Sequence, residues 1–275
     1  SRRFPDGETD RAGFGWTGGE RAVTEPRSAY LERLSWKEIR GAIDAGFDTV
    51  LVPGGSVEQH GPHLGILKDA AWAEAIGAEV AHELGETLVA PVIRPGTSDH
   101  HMGFAGTISY RPETLMAVVE DYCHSLASHG FDTIVLFSMH GGNFPAMNAV
   151  LPRIATEVDA KVVTLLDREL LIDPLLESLD AFGVPREARG HGGAAVTASM
   201  LHLRPELVLE EECRPGYRGE VSTSTLTTRG LDAVSEMGHM GDPTRATEAL
   251  GREVTGRLVD AFVDRIQTER GNCHE

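Results

Sequence analysis

The sequence predicts an α/β fold: a mostly parallel sheet with helices on both faces. Three observations carry this. Short runs apolar at every position recur, as in strands covered on both sides. Amphipathic stretches with apolar residues four apart separate them. Several of the runs end in Gly-rich segments rather than in hairpin turns. At 275 residues the chain can bury a large core without disulfide staples.

The elements follow in order. Residues 1–28, rich in glycine and charge, read as a polar arm, and a single domain is expected over 29–270. A short helix is expected over 35–45, with Ser35 as N-cap and Glu38 as its capping-box partner. Thr49-Val50-Leu51-Val52 reads as a buried strand ending at Pro53-Gly54-Gly55. A helix over 69–84 carries Trp72, Ile76, Val80 and Leu84, and a strand follows over 87–92. The pattern repeats with a helix over 113–128 and a strand over 133–137, which runs into His140-Gly141-Gly142-Asn143. A helix over 144–158 should be kinked at Pro152. Then come a strand over 161–166, a helix over 197–203 and a long helix over 247–269. The segments 96–106 and 166–189 are expected as loops that wall a pocket.

Composition excludes several function classes. There are 25 Lys+Arg against 42 Asp+Glu, a net charge of −17, and no basic run, so a nucleic-acid partner is not expected. No apolar stretch approaches the ~20 residues that span a bilayer, and the first residues lack a signal peptide's apolar core. Cys123, Cys213 and Cys273 are odd in number and form no CxxC pair. That argues against a disulfide framework or a cysteine zinc site and for a reducing, cytoplasmic setting.

Histidines gather in the Gly-rich segments. Glu58 and His60 are two apart, so extended backbone points both to one side, and Asp69 at the start of a helix can reach the same point. Carboxylate plus imidazole is the ligand mix of zinc, manganese and iron sites. His140 follows a strand and belongs to the same sheet edge, where open α/β sheets bind ligands. His191, in His191-Gly192-Gly193, titrates near neutrality and is a candidate proton carrier. Taken alone, the Glu58–His60 cluster is equally compatible with a polar loop and a capping Asp, while His140 reads better as a turn histidine bonded to backbone and His191 as a histidine at a helix N-terminus. Of Asp99, His100 and His101, at most one is expected to face a site, the others forming its rim. Cys123 reads as a buried structural thiol and Glu210-Glu211-Glu212 as a solvated face.

The stretch Pro53-Gly54-Gly55-Ser56-Val57-Glu58-Gln59-His60-Gly61-Pro62-His63-Leu64 resembles the creatininase (creatinine amidohydrolase) family. Gly103-Phe104-Ala105-Gly106-Thr107, His140-Gly141-Gly142-Asn143, His191-Gly192-Gly193, Leu203-Arg204-Pro205-Glu206-Leu207-Val208 and Gly241-Asp242-Pro243-Thr244 extend the resemblance over about 31–268. It implies a three-layer α/β/α sandwich, one or two divalent ions (Zn, Mn or Fe), a small-molecule substrate and a homo-oligomer, usually a hexamer. It places Glu58, His60, Asp69 and His140 on metal-ligand positions, Asp69 as the bridging carboxylate, and His191 on that of a catalytic histidine. His101, Lys68 and Asn143 are candidates for substrate contact.

The departures are specific. Gly142, Gly190, Ala194 and Val196 stand where family members carry acidic residues, and Gly65-Ile66-Leu67-Lys68 replaces a Pro-Leu-Gly-Thr run. Three outcomes are open: a single ion; a replacement ligand from His101, His191, Asp167 or Glu169; or loss of hydrolysis. Fewer carboxylates would favour an anionic substrate. The expected activity is metal-dependent hydrolysis of a C–N bond in a small amide or lactam, or its reverse. The alternative is a degenerate centre that performs nonhydrolytic metal chemistry or only binds a small molecule.

Overall fold

The computed structural model describes residues 26–271. The arm expected over 1–28 lies, up to residue 25, outside them. In chain order the elements are α1 (Trp36–Asp44), β1 (Thr49–Gly54), α2 (Lys68–Leu84), β2 (Thr87–Val89), α3 (Pro112–Ser128), β3 (Thr133–Ser138), α4 (Phe144–Glu157) and β4 (Lys161–Leu165). They continue with α5 (Arg168–Ala181), α6 (Ala194–Leu203), α7 (Thr223–Arg229) and α8 (Glu248–Gly271).

The four strands form one parallel sheet in the order β2-β1-β3-β4. Side-chain alternation along the strands divides the core in two. Val50, Val52, Ile134 and Leu136 pack against the layer of α1, α3 and α4. Leu51, Val135 and Phe137 pack against α2, α5, α6 and α8. This is the α/β/α sandwich. Every residue of β1 and β3 is buried, as their unbroken apolar runs require.

The chain leaves β1 toward β2 through α2 on one face, then returns to β3 through α3 on the other. Strand order therefore reverses between β1 and β3, which opens a crevice beyond their carboxyl ends. Gly55 lets α2 close on that crevice, because a Cβ there would lie 2.5 Å from the Ala70 Cα. Asp69, the second residue of α2, is thereby brought to the end of β1.

Some expectations need correction. The segment 166–189 is not a loop wall, since α5 fills most of it. Leu171, Leu175 and Leu179 form its buried stripe, at a spacing that Pro174 inside the helix obscures in the sequence. Strand β2 stops at Val89, three residues short, and α6 starts at Ala194, three residues early. Helix α4 holds Pro152 inside its range without a break, as expected. Among the described residues no helix is long and apolar enough to cross a membrane.

Candidate metal centre

Four buried side chains meet at the crevice: Glu58 and His60 beyond β1, Asp69 from α2 and His140 beyond β3. His140 Nδ1 lies 3.3 Å from Glu58 Oε2 and 3.4 Å from Asp69 Oδ2. His60 Nε2 lies 3.6 Å from Glu58 Oε1 and 3.4 Å from Asp69 Oδ1. Glu58, Asp69 and His140 are one group placed to hold an ion, and Glu58, His60 and His191 are a second, overlapping one.

Backbone carbonyls fix which nitrogen of each ring carries hydrogen. His60 Nδ1 donates to the Glu58 carbonyl (3.2 Å), His140 Nε2 to the Thr97 carbonyl (2.9 Å) and His191 Nε2 to the Gln59 carbonyl (2.7 Å). In the neutral rings the remaining nitrogens, His60 Nε2, His140 Nδ1 and His191 Nδ1, are lone pairs aimed at carboxylate oxygens. Acceptor facing acceptor is repulsive unless a cation lies between, and imidazoles tied at one nitrogen to a carbonyl are the usual ligand arrangement. The donor set thus fits a divalent metal ion.

The charges argue the same way. Burial lowers the pKa of His140, yet Glu58 and Asp69 outweigh it and carry the ring up to about 10. Without a metal, then, a proton on Nδ1 takes the cation's position between the two carboxylates. Burial raises Glu58, but His140 and then His101 hold it down to about 2. Asp69 is held well below its usual range against burial, first by Lys68 and then by His60 and His140. Two hydroxyls orient the carboxylates: Ser98 Oγ donates to Glu58 Oε2 (2.6 Å) and Ser56 Oγ to Asp69 Oδ2 (2.7 Å).

His191 stacks on His60, with ring centroids 4.1 Å apart, and on His101, at 4.3 Å. Its Nδ1 stands 3.9 Å from Glu58 Oε1, and its side chain keeps 19% exposure, against 5% or less for the other four. It is the cluster's contact with solvent. Burial, with His60 and His101 beside it, pushes its pKa well below the usual value.

His101 is drawn inside, while His100 stays at the rim and only partly buried. The Gln59 amide is oriented by its own bonds: Oε1 accepts from Gly61 N and Nε2 donates to the Gly238 carbonyl. Nε2 therefore also donates to His101 Nδ1 (2.9 Å), which leaves hydrogen on His101 Nε2, facing Glu58 Oε1 at 3.3 Å. In this arrangement His101 turns a hydrogen, and no lone pair, toward Glu58 and is not a replacement ligand. Asp167 and Glu169 are not replacements either. Asp167 pairs with Arg265, and both acids line an outer groove between α5 and α8.

The two remaining residues differ in role. Lys68 Nζ lies 2.6 Å from Asp69 Oδ1 and 4.3 Å from the Trp72 ring centroid. Asn143 is fully buried and its side chain is committed to the scaffold. Oδ1 accepts from Thr97 N, and Nδ2 donates to the Gly55 carbonyl and Ser138 Oγ. It ties together the segments that carry Glu58, His140 and the Thr97 carbonyl. Sequence reasoning did not single out Ser56, Ser98, Thr97 or Gln59. Ser56 and Gln59 stand inside the longest motif, and Ser98 precedes the paired histidines, so position was the available signal.

Carboxylates and imidazoles at the switch point of a parallel α/β sheet form the class of site that can hold a divalent ion. The chain belongs to the creatininase family: the family model described as creatinine amidohydrolase matches residues 32–266. It is 35% identical over 228 residues to a mycofactocin precursor peptide peptidase of Mycolicibacterium smegmatis, covering 79% of this chain and 84% of that one. It is 31% identical over 194 residues to a creatinine amidohydrolase of Pseudomonas putida, covering 66% and 74%. A solved zinc–zinc form of a mutant creatininase superposes with a TM-score of 0.76 at 27% identity, covering 88% of this chain and 98% of its own.

Proposed function

We propose that this creatininase-family hydrolase cleaves the C–N bond of a small amide or lactam, with Glu58, His60, Asp69 and His140 as metal ligands and His191 as proton carrier. The observation that carries the reading is the set of ring lone pairs locked toward two buried carboxylates beside a partly exposed histidine. The relatives described as a peptidase and an amidohydrolase both act on amide-type C–N bonds, which supports the bond class. A peptide bond in a short peptide is the second reading, favoured by the 35% identity to the peptidase.

A divalent ion held there supplies Lewis-acid polarisation of the carbonyl and acidifies water toward a pKa of ~7. The chain's own residues do the rest. Glu58 and Asp69 are held ionised, so they remain ligands at neutral pH. His191 keeps an unprotonated Nδ1 on its partly exposed side, so it is placed to take a proton as the nucleophile forms and to return it to the leaving nitrogen. The near-complete burial of the other groups keeps bulk water from competing. The active form is proposed to be a cytoplasmic homo-oligomer, a hexamer. Exposed apolar Ile66, Leu67, Met102 and Ile108 are a reason to look for subunit contacts.

The test is hydrolysis of a panel of lactams, acyclic amides and short peptides, followed by liquid chromatography. Cleavage should vanish on chelation and return with zinc or manganese. A chain that holds no metal and cleaves nothing would leave the noncatalytic alternative standing.

A further inference from the structure

Asn143 is fully buried at the start of α4, and its carboxamide joins three segments that are far apart in sequence. Oδ1 accepts from Thr97 N at 2.9 Å. Nδ2 donates to the Gly55 carbonyl at 2.9 Å and to Ser138 Oγ at 3.1 Å. A primary amide has one acceptor oxygen and two N–H donors, and here both kinds are used.

Each partner is one step from a member of the metal-ligand cluster. The Thr97 carbonyl accepts from His140 Nε2 at 2.9 Å, which fixes the ring whose Nδ1 faces Glu58 and Asp69. Ser98, the next residue, donates to Glu58 Oε2. Ser56, which follows Gly55, donates to Asp69 Oδ2. Ser138 Oγ accepts from His140 N at 3.1 Å and donates to the His140 carbonyl at 3.0 Å.

The packing around the amide is close. A Cβ on Gly96 would lie 2.5 Å from Asn143 Oδ1 and 2.7 Å from the Gly55 carbonyl, so the 96–97 backbone lies directly on the carboxamide. A side chain of another shape does not fit there without moving backbone that carries the cluster.

We propose that Asn143 is the positioning residue of the metal centre. It holds the chain at 55, 97 and 138 in one fixed arrangement, so that Glu58, Asp69 and His140 converge before any ion arrives. It acts through Thr97, Gly55 and Ser138 and touches none of the three itself. The inference rests on the metal reading above and adds to it the group that preorganises the ligands. The chemical asymmetry of the amide makes this testable. Aspartate has the same shape but lacks the N–H donors, so its second oxygen would face the Gly55 carbonyl, acceptor against acceptor.

The experiment measures the affinity of the full chain for zinc chloride by competition with a chelating dye, alongside denaturant unfolding of each variant. Asn143→Asp should weaken zinc binding by about 10–100-fold, the usual effect of losing a group that orients a ligand. Ser199→Ala is the control: it removes a buried hydroxyl bonded to the Ala195 carbonyl in α6, and should lower stability while zinc affinity stays at the wild-type value. Wild-type affinity in a folded Asn143→Asp, or an equal loss in Ser199→Ala, would overturn the inference and leave the metal reading intact. No zinc in wild type would overturn both. Should Asn143→Asp not fold, amide hydrogen exchange of the zinc-free wild type decides. The Thr97 N–H should exchange only with global unfolding, and exchange at the rate of an exposed loop would overturn the inference.

Discussion

At the scale of single residues, His191 is distinguished from the proposed ligands by its exposure. General acid–base groups contribute about 10²–10⁴-fold to rate. His191→Ala should therefore lower turnover by that order while zinc content stays near the wild-type value. Loss of zinc in that variant would make His191 a ligand. The convergence of Glu58, His60 and His140 was legible because they sit in Gly-rich segments directly after buried strands. Lys68 and Asn143 were named in sequence only as substrate contacts, yet one caps Asp69 and the other ties three segments together. Such roles depend on which backbone groups face a side chain, and a linear motif does not contain that information.

At the scale of elements, two glycines of α8 make a matched pair. A Cβ at Gly251 would overlap the Ala198 carbonyl where α8 crosses α6, whereas nothing lies within 4 Å of one at Gly256. Gly251→Ala should destabilise by about 1–3 kcal/mol or more, since backbone must move. Gly256→Ala should stabilise by about 0.5–1 kcal/mol through helix propensity. Denaturant unfolding of the two variants checks both signs. The capping box at Ser35 and Glu38 forms as its spacing predicts. Helix α5 was missed because Pro174 reads as a breaker, although Leu171, Leu175 and Leu179 bury a stripe that holds the helix together. Tertiary burial outweighs local propensity there.

At the scale of the molecule, acid should loosen the fold through buried neutral histidines. Burial pushes His63 down to about 4; Nε2 donates to the Gly192 carbonyl and Nδ1 is buried without a partner. The folded value lies below the unfolded one of ~6.5, so the unfolded chain takes up the proton first. Stability is full above pH ~6.5 and falls toward pH 4, by up to about 1.4 kcal/mol per pH unit for one such group. Denaturant titrations of the metal-free chain at several pH values should show this slope, and His63→Gln should flatten it. A slope unchanged in that variant would assign the acid sensitivity to other groups. The α/β class was legible because strand and helix periodicities alternate cleanly through 49–166. The reversal of strand order, which makes the crevice, emerges only when the crossovers are placed on opposite faces.

The arrangement around Gln59 also bears on how such a centre could be rewired. One amide decides that His101 presents hydrogen, and not a lone pair, to Glu58. A carboxylate at that position would accept from Nδ1 and reverse the ring's polarity, turning an interior donor into a third imidazole, beside those of His60 and His140, able to bind a cation. The number of donor atoms offered to an ion is thus set by a residue that need not touch the ion. A change from nitrogen to oxygen in one neighbouring side chain, with the Gly238 carbonyl turned away from it, would recruit a ligand already in place.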